Sequence, residues 1–210
     1  MNTETEITDY LSVHPIYSKV YFDHGFLPNN FCKNKDSVKA VVLGCDPSFV
    51  KNNRPEQITT VFNLDDTVKE NFFSTIKDNL DEINLGLDQI YVQNLCRNYF
   101  TKETQSNDYW IEIARLWIPA LKNELDALFN INIPVLLTSG HIYTALLGHK
   151  IKATYSYKGI YEKCTIITSN DVDNPLRRDL IPFFRHKNYK LSLEKWTVYK
   201  DKIRKKLELA

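Results

Sequence analysis

Short apolar runs that alternate with helical patterns constrain this chain more than any other feature. Lys39-Ala40-Val41-Val42-Leu43-Gly44 is rich in β-branched residues and stops at a glycine, as a buried strand entering a loop does. Ile90-Tyr91-Val92-Gln93-Asn94-Leu95 and Pro134-Val135-Leu136-Leu137-Thr138 repeat the form, each after a helical stretch. The first stretch, Thr67 to Leu85, spaces Val68, Phe72, Ile76, Leu80 and Ile83 at three- and four-residue steps. The second, about Asn107 to Phe129, carries Trp110, Ala114, Trp117, Leu121 and Leu125 on one side. Helices between strands impose crossovers, so the pattern predicts an α/β fold with a mostly parallel central sheet.

The rest of the chain extends that plan. A helix is expected at about Gly140 to Leu147, and a basic one from Leu193 to Leu207. Ala153-Thr154-Tyr155-Ser156-Tyr157 and Lys163-Cys164-Thr165-Ile166-Ile167-Thr168 flank Lys158-Gly159 and read as an inserted β-hairpin. Leu180-Ile181-Pro182-Phe183-Phe184-Arg185 is the last strand, sent to an edge or bulge by its proline. No linker or repeat divides the chain, so residues 1–210 are expected to form one domain. Met1 to Glu6 is polar and acidic, unlike a secretory signal, and no apolar run reaches membrane-spanning length. Cys32, Cys45, Cys96 and Cys164 lie far apart, with no C-x-x-C pair or histidine at ligand spacing. Reduced thiols in the cytoplasm, and no metal or cofactor, are the expectation. A net charge of +1 excludes a generally basic coat but allows a local basic face. The 12 Tyr, 11 Phe and 3 Trp leave aromatic surface available for stacking on a flat ligand.

Ligands of such sheets bind beyond the carboxyl ends of the strands. Four segments hold that position: Gly44-Cys45-Asp46-Pro47-Ser48, Gln93-Asn94, Ser139-Gly140-His141, and Arg185-His186-Lys187-Asn188-Tyr189. Val41-Val42-Leu43-Gly44-Cys45-Asp46-Pro47-Ser48 resembles the first motif of the uracil-DNA glycosylase superfamily, a strand followed by Gly-Gln-Asp-Pro-Tyr. Phe62 in Thr60-Val61-Phe62-Asn63 is similar to that family's uracil-stacking Phe, and Asn94 to its uracil-reading Asn. Leu136-Leu137-Thr138-Ser139-Gly140 looks like the strand and loop that grip the DNA backbone. His186-Lys187-Asn188-Tyr189, with Lys190-Leu191 beyond, falls where the family has His-Pro-Ser-Pro and a Leu wedge. Order and spacing match from about Lys39 to the C-terminus, apart from the hairpin.

The resemblance implies a three-layer α/β/α domain with a mostly parallel four-stranded central sheet. It also implies a monomeric, cofactor-free DNA repair enzyme of base excision, acting on uracil-containing or damaged DNA, single or double stranded. Asp46 would stabilise the sugar cation and orient a water, while His186 would donate to the departing base. The nucleotide would be flipped into a pocket, with Phe62 stacking on the base, Asn94 reading its edge and Cys45 and Ser48 beside it. Ser139, Gly140 and Asn188 would hold the backbone, and Tyr189 or Leu191 would fill the gap in the stack.

The departures from the family are concrete. Cys45 replaces Gln and Ser48 replaces the Tyr that excludes thymine's methyl group, which leaves more room. Phe62 is followed by Asn63-Leu64-Asp65-Asp66 where a proline-rich loop is expected, and proline is missing after His186. A catalytically inactive protein of the same fold, binding nucleic acid or a protein partner, accommodates those changes. Plain structural roles compete as well: a turn for Asp46, a cap for Asn94, core for Phe62, an exposed basic turn for His186 and a helix start for His141. Arg177-Arg178 reads as an isolated pair, and Lys200 to Lys206 as the solvated face of the last helix.

Overall fold

Alternate residues of the apolar runs face opposite ways, and the chain covers both faces with helices. The computed structural model describes residues 3–14, 20–21, 27–47, 59–64, 73–148 and 156–208. In chain order the strands are β1 (Val20–Tyr21), β2 (Phe31–Cys32), β3 (Ala40–Gly44), β4 (Ile90–Asn94), β5 (Tyr99–Phe100), β6 (Val135–Leu137) and β7 (Leu180–Pro182). The helices are α1 (Glu4–Val13), α2 (Ser74–Glu82), α3 (Trp110–Leu128), α4 (Gly140–Leu147), α5 (Tyr157–Glu162) and α6 (Thr197–Leu207). The main sheet has the order β2-β4-β3-β6-β7, and β1 pairs with β5 in a separate ribbon. The four expected strands are parallel, while β2 is antiparallel to β4. The sheet is therefore mixed and five-stranded, one strand more than the sequence indicates, because two residues of β2 pair with the free edge of β4. β7 lies at the opposite edge, where Pro182 is tolerated.

Val41 and Leu43 face one core, with Ile7 and Leu11 of α1, Trp110, Trp117, Leu121 and Leu125 of α3 and Ile142 of α4. Ala40 and Val42 face the other, with Ile76 and Leu80 of α2, Tyr161 of α5 and Tyr199, Ile203 and Leu207 of α6. The period-two split of one strand thus separates two helical layers. Thr3 caps α1 reciprocally with Glu6, a Thr-x-x-Glu capping box. Among the described residues no helix is long and apolar enough to cross a membrane.

Among the described residues the inserted hairpin is not formed. Lys158-Gly159, its supposed turn, lies inside α5, whose start is capped by Ser156 accepting from Gly159 N at 3.1 Å. Ile160 and Tyr161 are both buried by that helix, and residues 151–155 lie outside the described residues. Ile167, assigned to the second arm, instead exchanges backbone bonds with Leu180 at 2.8 and 3.0 Å. The basic run of α6 is also less free than its composition indicates. Lys200 bonds Glu82 at 2.8 Å, Lys206 bonds Asp179 at 2.6 Å, and Lys202 donates to the Cys164 carbonyl at 2.6 Å. Arg178 is no surface residue: it is fully buried, and its guanidinium donates to the carbonyls of Leu125 at 3.0 Å and Phe129 at 2.9 Å, closing the end of α3.

Candidate functional site

Parallel pairing brings the loops after β3, β4, β6 and β7 to one end of the sheet. Gly44 is opposite Asn94 in the register, and the ladder continues past both strands, with Leu95 N donating to Gly44 O at 2.8 Å and Cys96 N to Cys45 O at 2.9 Å. On the other side, the Thr138 hydroxyl donates to Leu43 O at 2.8 Å and Arg185 N to Thr138 O at 3.1 Å. Asp46, Asn94, Ser139 and His186 therefore leave the sheet in the same direction.

Asn94 is 3% exposed, its backbone N–H donates to Gln93 Oε1 at 2.9 Å, and its side chain belongs to the wall of a cleft. An amide at a cleft wall offers an acceptor and two donors to a group that enters from outside. A Cβ built on Gly44 would lie 2.3 Å from Asn94 Oδ1 and 2.8 Å from Phe62 Cζ, so the glycine is what lets the amide and the ring meet over the strand. Phe62 holds φ 61° and Asn63 φ 56°, both left-handed. Such conformations cost on the order of 1–3 kcal/mol each and persist where surrounding structure fixes them. Here Asn29 N donates to Thr59 O at 3.0 Å and Val61 N to Asn29 O at 2.9 Å, tying the turn to the 27–30 segment. Phe62 is half-buried and also packs on Phe73, with ring centroids 5.5 Å apart, so it serves the core as well as the site.

Asp46 turns toward α3. Its Oδ1 accepts from the Thr104 hydroxyl at 2.6 Å and from Trp110 Nε1 at 2.8 Å. Burial pushes its carboxyl above the usual carboxylate range, against these two bonds and the positive charge of Arg185. Burial and the neighbouring Asp46 likewise push the Cys45 thiol up to about 12, so Cys45 stays protonated; Ser139 bonds it. Ser139 also caps α4, its hydroxyl accepting from His141 N at 3.1 Å, with Gly140 as the first helical residue. Ser48 lies outside the described residues.

His186 begins the short turn Lys187–Tyr189 and is exposed. Its Nδ1 accepts from Asn188 N at 3.3 Å, which places the proton of a neutral ring on Nε2. Among the described residues no hydrogen bond joins His186 to Asp46 or Asn94. Asn188 is exposed and its carbonyl accepts from Trp196 Nε1 at 2.9 Å. Tyr189 is packed among Tyr161, Phe184 and Trp196. The wedge role expected for Leu191 is ruled out by burial: its side chain is 0% exposed in the α2–α6 core, and its N donates to Asn79 Oδ1 at 2.8 Å.

A cleft of about 240 Å³ opens beside Asn94, walled by Gln93, Pro47, Cys96, Arg97, Glu4 and the 27–30 segment. Asp46 and Phe62 are not on its wall; Pro47 is. Its floor is polar and already ordered. Arg97 bonds Glu4 at 3.0 Å and pairs with Glu124, which in turn accepts from the Tyr91 hydroxyl and from Gln93 Nε2 at 3.3 Å. Among the described residues no three His, Cys, Asp or Glu side chains gather as a metal site would require. Thr104, Trp110 and Arg97 are the residues to which sequence reasoning gave no part in the site. Thr104 and Trp110 belong to no local motif and meet Asp46 through long-range contacts, while Arg97 follows Asn94 closely and lines the same cleft. A scan against models of protein families finds no match for this chain, and a comparison with curated proteins finds none either.

Proposed function

We propose that the chain is a divergent, uracil-DNA glycosylase-like protein that hydrolyses the N-glycosidic bond of uracil or a related damaged pyrimidine in DNA. The observation that carries this reading is the Asn94 amide at a cleft wall, set beside the Phe62 ring at the end of a parallel strand, with Asp46 in the loop after the neighbouring strand. An amide offers one acceptor and two donors, which matches the alternating carbonyl and N–H edge of a pyrimidine. A base reaching it would have to leave the duplex stack. In the reaction the bond from C1′ to the base breaks with its electron pair leaving on the base, and positive charge develops on the sugar. Asp46 stabilises that cation and takes a proton from the water that adds to C1′. The Nε2–H of His186 is the donor for the anionic base once bound DNA draws the exposed turn inward. In this reading Ser139, Gly140 and Asn188 meet the DNA backbone, and the protein acts as a monomer without a cofactor.

The test uses labelled oligonucleotides carrying uracil, hydroxymethyluracil or hypoxanthine, followed by alkali to reveal abasic sites. Strand scission with a pyrimidine lesion, lost in Asp46→Asn, is the expected result, and intact strands at stoichiometric protein would overturn the enzymatic reading. One observation favours a second reading, a silent binder of nucleic acid or protein. His186 makes its bond inside its own turn, with Asn188, rather than with Asp46 or Asn94. Retention of the oligonucleotides without scission would select it.

A further inference from the structure

Two side chains outside every recognised motif converge on one oxygen of Asp46. Thr104 comes from the short turn Thr104–Ser106, and Trp110 is the first residue of α3 and fully buried. Their donors lie 2.6 and 2.8 Å from the same Oδ1. We propose that Thr104 and Trp110 are positioning residues that lock the plane of the Asp46 carboxylate and leave Oδ2 as the oxygen presented to the reacting sugar and water. This inference rests on reading Asp46 as the reactive carboxylate.

The chain itself argues against a merely structural bond. A buried indole N–H needs an acceptor, and a neutral one suffices. Trp117 Nε1 uses the Asn98 amide oxygen at 2.8 Å, and Trp196 Nε1 uses the Asn188 carbonyl at 2.9 Å. Of the three tryptophans only Trp110 is given a carboxylate, and that carboxylate receives a second donor as well. A carboxylate with one bond can pivot about its last torsion, whereas two donors from separate elements fix it. They also favour the charged form, which partial withdrawal from water disfavours. The other groups facing Asp46 are Arg185 and the thiols of Cys45 and Cys96, while His141 lies edge-on to the Trp110 ring at 6.0 Å.

The experiment is an NMR titration of the Asp46 carboxyl carbon in the full chain and in Thr104→Val, Thr104→Ser and Trp110→Phe, with base release measured on the same samples. Thr104→Val and Trp110→Phe should each raise the Asp46 midpoint by about one pH unit, while Thr104→Ser keeps it in place. In the intact protein the Trp110 indole proton should titrate with the Asp46 midpoint. The acid limb of kcat should move up with the carboxyl, with KM unchanged. Thr104→Val removes only a hydroxyl from a half-buried position, so the test survives if Trp110→Phe misfolds. An Asp46 midpoint unmoved in Thr104→Val overturns the inference even where base release is observed. Midpoints that move in a protein releasing no base support the clamp and overturn the glycosylase reading, so the two fail separately.

Discussion

Asn94 occupies the space that a methyl group on Gly44 would need: its Oδ1 lies 2.3 Å from that point. Phe62 Cζ closes the same space from the other side, at 2.8 Å. The conformation of Gly44 is ordinary strand, so the glycine is required here by proximity rather than by its φ.

Gly44→Ala should therefore displace both groups. Forcing a methyl into a packed site costs roughly 1–3 kcal/mol. The expected outcome is a lower urea midpoint together with loss of base release, and an unchanged midpoint would show that the amide and ring move aside freely.

Asn94→Ala separates function from stability. The side chain belongs to a cleft wall rather than to either apolar cluster, so the variant should unfold within about 1 kcal/mol of the parent. Removing two bonds to a base should lower kcat/KM by roughly two orders of magnitude. Oligonucleotide kinetics beside chemical denaturation measures both.

Asp46→Asn should abolish base release and raise stability at neutral pH. Burial holds the Asp46 carboxyl above its unfolded value, so the folded chain keeps a proton that the unfolded chain has released. Stability from this group therefore falls as pH rises from the ordinary carboxylate value through the raised one, and stays lower above it. The asparagine oxygen can still accept from Thr104 and Trp110, and it removes the titration. Melting temperatures at pH 7 should favour the variant, by about 2–4 °C per kcal/mol recovered, with the gap closing toward acid pH.

Arg178→Met should destabilise the fold without touching the site. The guanidinium satisfies carbonyls at the end of α3 and pairs with Asp126 at 3.1 Å, all from a fully buried position. Leaving those acceptors bare should cost about 3–5 kcal/mol. Activity per folded molecule should be retained, as read from denaturation curves beside active-site titration.

The four parallel strands were legible because their signal is local: Val41-Val42-Leu43 before Gly44, or Val135-Leu136-Leu137 before a Ser cap, needs no distant partner to be read. α4 matches its expected bounds for the same reason, with Ser139 capping and Gly148 ending it. The Thr3–Glu6 capping box was equally visible, but the opening residues read only as polar. Lys158-Gly159 misled because a turn dipeptide says nothing of Ile160 and Tyr161, whose burial is served by a helix. Asp46 and Asn94 could be named from the loops that carry them. Thr104 and Trp110 could not, since they reach Asp46 from 58 and 64 residues along the chain. Leu191 was misplaced for a related reason: its basic neighbours hide a contact with Asn79, 112 residues earlier.

Adjacent parallel strands of the main sheet are never joined by a tight turn: β3 finds one neighbour in β4 and the other in β6, and β7 joins only more than forty residues after β6. Closing such wide loops before any ladder is rewarded slows assembly. A nascent polypeptide emerging from the ribosome would hold Asp46 and Asn94 long before the segment bearing His186 arrives, leaving the β6 edge uncovered and sticky until β7 has been made.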